Sequence, residues 1–153
     1  MKHCCIFLLL LVLTSVFVPT VPAADFTIKG ITFEATDTPE PTETVHIQMD
    51  SLHHPVIFGM VDDKPRVVCD FNNAEPVKSI ERTIETNGRY IKRIRTGFHA
   101  TPKTKTRIVL DLVPDRDYTI QQIPSPADNR FSVVVKVARE NVAPVPENQN
   151  PSN

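Results

Sequence analysis

Tryptophan is absent, and glycine occurs only 4 times in 153 residues. So little glycine argues against glycine-rich phosphate loops, and no Gly-x-Ser-x-Gly, His-Glu-x-x-His or phosphate-loop pattern occurs. Neither sign of charge is in excess, with 17 Lys plus Arg against 18 Asp plus Glu, so global charge selects no particular partner. Thiols are scarce. Cys4 and Cys5 fall in the N-terminal apolar run, and Cys69 is the only cysteine beyond it, so no intramolecular disulfide is expected once that run is removed. Cys69 lies between Val68 and Asp70 with no electropositive helix start beside it, which predicts a buried, inert thiol. Metal ligands are equally thin. A catalytic zinc site needs several ligands and an open position for water. Beyond the apolar run only His46, His53, His54 and His99 occur. His53 and His54 are adjacent, and neighbours on an extended chain point to opposite faces, so exposed loop histidines are expected. Glu81 and Glu85, among many cations, are expected to form surface ion pairs. Neither catalysis nor a metal or cofactor is expected.

The apolar run itself is short. Met1-Lys2-His3 is a basic start, residues 4–18 are mostly apolar, Pro19 ends them, and Val21-Pro22-Ala23 supplies small residues for a peptidase. The run falls below the ~20 residues that a spanning helix needs. Residues 1–23 are therefore expected to be a cleaved signal peptide, leaving no stable membrane span. An uncleaved anchor is the competing reading. A lipoprotein cysteine would follow the apolar run, whereas Cys4 and Cys5 open it. The expected location is periplasmic, or extracellular if the source lacks an outer membrane. Residues 24–141 suit one domain. Residues 142–153, rich in Pro, Asn and Glu, cannot bury enough to order themselves.

Proline is plentiful, at 14, and cuts the chain into short pieces. Alternating and β-branched patterns predict strands at 25–33, 43–49, 55–60, 66–71, 90–98, 106–112, 118–123 and 130–137. Loops are expected at 34–42 and 72–76. Only 77–85, with Ile80 and Ile84 at helical spacing, suits a helical turn or two. The expected class is all-β, an antiparallel β-sandwich of short strands with at most one short helix.

Charge is segregated along the chain. Residues 25–77 carry three basic and ten acidic side chains, net −7, whereas 78–107 carry nine basic and two acidic, net +7. A central basic hairpin thus sits in an acidic protein. It attracts anionic partners, unless it is simply a solvated face. An internal repeat overlaps its end: Arg66-Val67-Val68-Cys69-Asp70-Phe71 is echoed by Arg107-Ile108-Val109-Leu110-Asp111-Leu112. Alternation gives each strand one continuous apolar face and an opposite face with a cation and an anion at its ends. Arg and Asp of one strand lie about 13 Å apart, too far to pair. Antiparallel pairing in register would instead set Arg66 opposite Asp111 and Asp70 opposite Arg107.

These residues, with Asn87-Gly88-Arg89-Tyr90-Ile91-Lys92-Arg93-Ile94-Arg95-Thr96-Gly97-Phe98-His99 before the second copy, resemble an AMIN domain. That family supplies the N-terminal, non-catalytic domain of bacterial cell-wall amidases and occurs in type IV pilus secretins. The resemblance covers roughly residues 26–137. It implies a β-sandwich of two similar halves, export, and binding to peptidoglycan that places a partner in the envelope. Its best-known members are tethered to a catalytic or pore-forming domain. Here only a Pro/Asn tail follows, so targeting is expected to be of the chain itself or of a separate protein. Arg forks suit stem-peptide carboxylates, which makes Arg89, Tyr90, Arg93 and Arg95 the candidate ligand-binding residues. Strict alternation would put Arg89, Ile91, Arg93 and Arg95 on one face and Tyr90, Lys92 and Ile94 on the other. Stacking would fall to Tyr90, Phe98 or Tyr118. Export argues against nucleic acid as a partner. The alternative is a protein-interaction module that docks on an envelope complex by a sheet edge.

Overall fold

The computed structural model describes residues 24–37 and 39–138. The expected signal peptide (1–23) and tail (142–153) lie outside them. The described residues form ten strands: β1 (Phe26–Thr36), β2 (Thr42–Met49), β3 (Val56–Met60), β4 (Arg66–Asn72), β5 (Ala74–Pro76), β6 (Thr83–Glu85), β7 (Ile91–His99), β8 (Lys105–Leu112), β9 (Tyr118–Ser125) and β10 (Arg130–Val137). One sheet has the order β5-β1-β2-β10-β9 and the other β3-β4-β8-β7-β6. Each sheet is built the same way: two antiparallel hairpins side by side, plus one three-residue edge strand. This is the sandwich of two similar halves that the resemblance implies.

Period-two patterning explains the core. Val45, Ile47 and Met49 of β2 and Phe131, Val133 and Val135 of β10 line one inner face. Val67, Cys69 and Phe71 of β4, with Ile108, Leu110 and Leu112 of β8, line the other. Phe71 meets Phe131 edge-on, ring centroids 6.4 Å apart, which locks the two layers together. Burial pushes the Cys69 thiol up to about 12, and the neighbouring Asp70 charge acts in the same direction. Cys69 is therefore expected to ignore a thiol reagent at mildly alkaline pH and to react only once urea unfolds the protein.

The structure corrects several expected boundaries. β1 runs on to Thr36 and β2 begins at Thr42, so 34–36 and 42 are strand rather than loop. Polar side chains there face solvent while the backbone ladder continues. Residues 74–76 are also a strand. The chain leaves the second sheet at Asn73, in the left-handed region at φ 58°, and β5 then pairs parallel with β1. No α-helix forms over 77–85. Ile80 and Ile84 do pack on the core, but Ile84 does so from β6, paired opposite Ile94. The one helical turn among the described residues is a 3-10 turn at Pro126–Asp128. The paired histidines do lie in the loop before β3, His54 exposed and meeting Phe131 edge-on at 5.8 Å, but His53 is half-buried, stacked on Phe26 at 3.9 Å. Glu81 and Glu85 are exposed, and neither forms an ion pair among the described residues.

Candidate functional site

The repeat strands are neighbours. β4 pairs antiparallel with β8, Arg66 opposite Asp111 and Asp70 opposite Arg107, the register expected from the repeat. β3 extends this face on one side and β7 on the other. Across the outer surface the rows read Met60, Arg66, Asp111, Arg93; then Phe58, Val68, Val109, Arg95; then Val56, Asp70, Arg107, Gly97. Each row is one line of cross-strand neighbours, the unit of interaction on a sheet surface.

Both aspartates are held alike. Arg107 grips Asp70 with Nε at 2.6 Å and Nη2 at 2.7 Å, and Lys105 Nζ adds a contact at 3.1 Å. Arg95 grips Asp111 with Nε at 2.8 Å and Nη2 at 2.7 Å, and Arg93 Nε adds one at 2.6 Å. Such charge-assisted forks fix guanidinium planes as well as neutralising charge. Only half of the facing pairs become ion pairs, however. Arg66 lies opposite Asp111 in register, yet its guanidinium reaches Asp62 at 3.3 Å. Asp111 is already occupied from β7, and Asp62 sits four residues back in the same turn.

The forks set the protonation of both carboxyls. The Arg107 hydrogen bonds hold Asp70 below the usual carboxylate range, against the opposing effect of partial burial. Burial works to raise Asp111, and the hydrogen bonds from Arg95 and Arg93 outweigh it, leaving that carboxyl lowered too. A carboxylate with a depressed folded pKa stabilises the fold above its unfolded pKa and loses that contribution as pH falls through the folded value. Stability is therefore expected to decline as pH drops below about 4. Urea midpoints measured from near neutrality into that range should fall less steeply in a D70N/D111N variant than in the parent.

The expected ligand residues do not form one group. Arg93 and Arg95 share the outer face. Arg89 lies outside it, exposed, with Nη2 3.5 Å from Asp37. Tyr90 is a correction. It is 5% exposed, packed in the core edge-on to Tyr118 at 6.1 Å, and offers no face for stacking on a surface ligand. Alternation already sets Tyr90 on the side of Ile94, which faces the core; a bulge between Ile91 and Arg93 breaks that alternation for Ile91. Ile91 turns inward beside Ile94, while Arg93 and Arg95 stay outside. Phe98 lies on the opposite side of β7, and Tyr118 packs against the core. The aromatic on the outer face is Phe58, part exposed, with Arg107 5.7 Å above its ring. Sequence reasoning missed it, although continuing the alternation of 66, 68 and 70 through the tight hairpin would have set Phe58 opposite Val68.

A second missed residue supports the site from behind. Glu43 stands in line with Val45 and Ile47 on the inner face of β2, 3% exposed. Its carboxylate accepts backbone N–H bonds from Arg89, from Tyr90 at 3.0 Å and from Ile91 at 2.6 Å. This clamp ties the first sheet to the segment that launches β7. It also explains Gly88, because a Cβ there would stand 2.6 Å from both a Glu43 carboxylate oxygen and the Ile91 carbonyl. The Gly-Arg-Tyr stretch thus has a structural task in presenting its own backbone.

At the Arg66 end of the outer face the surface dips into a hollow of about 300 Å³. Lys64, Arg66, Lys92, Arg93 and Arg95 line it, against only Asp63 and Asp111. Arg93 spends its Nε on Asp111, and its Nη groups have no acidic partner among the described residues. The ammonium groups of Lys64 and Lys92 likewise have none. Cations with spare donors, on a face that also exposes Phe58 and Met60, suit a ligand with carboxylates on a partly apolar frame. No curated protein and no solved structure matches the chain. The family model described as AMIN domain matches residues 33–136, from within β1 almost to the end of β10.

Proposed function

The chain belongs to the AMIN domain family, whose members are envelope-associated and non-catalytic, and from that premise we propose that it is an exported domain that attaches to peptidoglycan. It localises itself or a partner in the cell envelope. Residues 1–23 serve as the signal peptide and the location is periplasmic, or extracellular where there is no outer membrane. The observation that carries this reading is the hollow lined by five cations and two acids, with Met60 of β3 against Arg66 on its rim. Stem-peptide carboxylates would take the free Nη donors of Arg93 and the ammonium groups of Lys64 and Lys92. Sugar rings would lie on Phe58 and Met60. Asp111 and Asp70 act by holding the arginine planes in place before the ligand arrives, which lowers the ordering cost of binding.

The test is co-sedimentation of the exported protein with insoluble sacculi at low and high salt. Raising ionic strength from about 0.1 M to about 1 M shortens the screening length from about 10 Å to about 3 Å. Binding is expected to fall several-fold over that range, and undiminished binding would contradict a carboxylate-driven contact.

One observation favours a second reading, a protein-interaction module. β3 is an edge strand without charge, Val-Ile-Phe-Gly-Met, with Val56, Phe58 and Met60 exposed. Such an edge can accept a partner strand. Contact made that way would be nearly indifferent to salt.

A further inference from the structure

We infer that a second ligand site lies on the other side of β7, a cleft that takes the terminal carboxylate of a short peptide. The cleft holds about 380 Å³ between residues 76–82, which lead from β5 to β6, and the far end of β7. Alternation beyond the bulge explains its walls. Arg93 and Arg95 face outward, whereas Thr96 and Phe98 follow the inner side set by Ile94. The covering segment is pinned at both ends, by Val77 N–H to the Ile28 carbonyl at 3.0 Å and by Thr96 N–H to the Arg82 carbonyl at 2.9 Å. The cleft therefore exists before any ligand binds.

Its chemistry is one-sided. Lys78 and Arg82 line it, no acid does, and neither cation has an acidic partner among the described residues. The acid of the same segment, Glu81, lines the neighbouring hollow with Lys29 instead. Thr96, in the wall, has a buried hydroxyl without a hydrogen-bond partner. Native structures rarely leave such a group unpaired. A χ1 rotation to another staggered rotamer would turn the hydroxyl toward an acceptor in the cleft. Phe98, 46% exposed, supplies an apolar wall beside the cations. One planar fork, one ammonium, one hydroxyl and one ring match a single carboxylate attached to a small apolar residue. The source of that ligand, the end of a wall stem peptide, rests on the function proposed above.

The probe is N-acetyl-D-alanyl-D-alanine, titrated into the isotope-labelled exported protein and followed by amide NMR, beside the same peptide with its carboxylate amidated. Saturable shifts at Arg82, Thr96 and Phe98 are expected with the acid, and binding of the amide at least about tenfold weaker. A K78A/R82A variant should lose the acid's shifts while keeping the parent spectrum elsewhere, and T96V should weaken binding with the fold intact. Equal shifts with acid and amide, no shift at about 10 mM probe, or unchanged binding by K78A/R82A would overturn the inference. Sacculus pelleting of the parent separates the two failures. Pelleting without cleft binding removes the cleft alone, whereas loss of both removes the proposed function as well.

Discussion

Replacing Glu43 with alanine is expected to lower the stability of the fold by about 3–5 kcal/mol, because hydrogen bonds to a charged acceptor contribute about 1.5–3 kcal/mol each and their donors would be stranded. The N–H groups of Tyr90 and Ile91 are buried with Glu43, so water cannot readily replace it. A domain has only about 5–15 kcal/mol in total, so the variant should sit near the edge of folding. Glu43→Gln keeps the shape but turns an amide NH₂ toward donors, and should cost less than alanine while still destabilising. Gly88→Ala attacks the same clamp from the other side, since its Cβ would collide with the carboxylate and with the Ile91 carbonyl. Urea unfolding followed by circular dichroism measures all three. A Glu43→Ala variant as stable as the parent would mean that the clamp adds nothing.

The second large effect concerns the ligand. A double charge reversal, Lys64→Glu with Lys92→Glu, is expected to weaken sacculus binding at least about tenfold, or 1.4 kcal/mol. Neither side chain forms an ion pair among the described residues, so stability should change little. That separation matters for Arg93 and Arg95. Both hold Asp111, whose side chain is only 16% exposed, and removing both would strand a mostly buried carboxylate. A variant lacking both arginines therefore confounds folding with binding. Unchanged sacculus binding by the lysine reversal, with the fold intact, would remove the hollow as the contact.

The repeat was legible because strand side chains alternate strictly and two such strands pair in only a few registers. Arg66 opposite Asp111, and Asp70 opposite Arg107, followed from spacing alone. Where the Arg66 guanidinium goes was not legible, since that depends on a turn folding back from Asp62. The bulge before Arg93 carries no Gly or Pro to announce it, and it sends Ile91 inward against a strict alternation. Arg89 lies beyond that irregularity, so the expected arginine site split, whereas Tyr90 already shared the core side of Ile94 under strict alternation. Glu43 reads locally as the polar start of a strand. Its burial depends on backbone donors more than forty residues away, which no local pattern reveals. Residues 77–85 misled for a similar reason: a spacing of four suits a helix, but the open edge of β7 offered Ile84 a strand to pair with.

The central claim is that cations on the outer face of β4, β8 and β7 recognise carboxylates of the cell wall. Its most direct test compares pelleting of the exported protein with native sacculi and with sacculi whose carboxylates have been converted to amides. Strong co-sedimentation with the native material is expected, with a loss of at least about tenfold in affinity on amidation. Equal pelleting with both, or none with either, would contradict it.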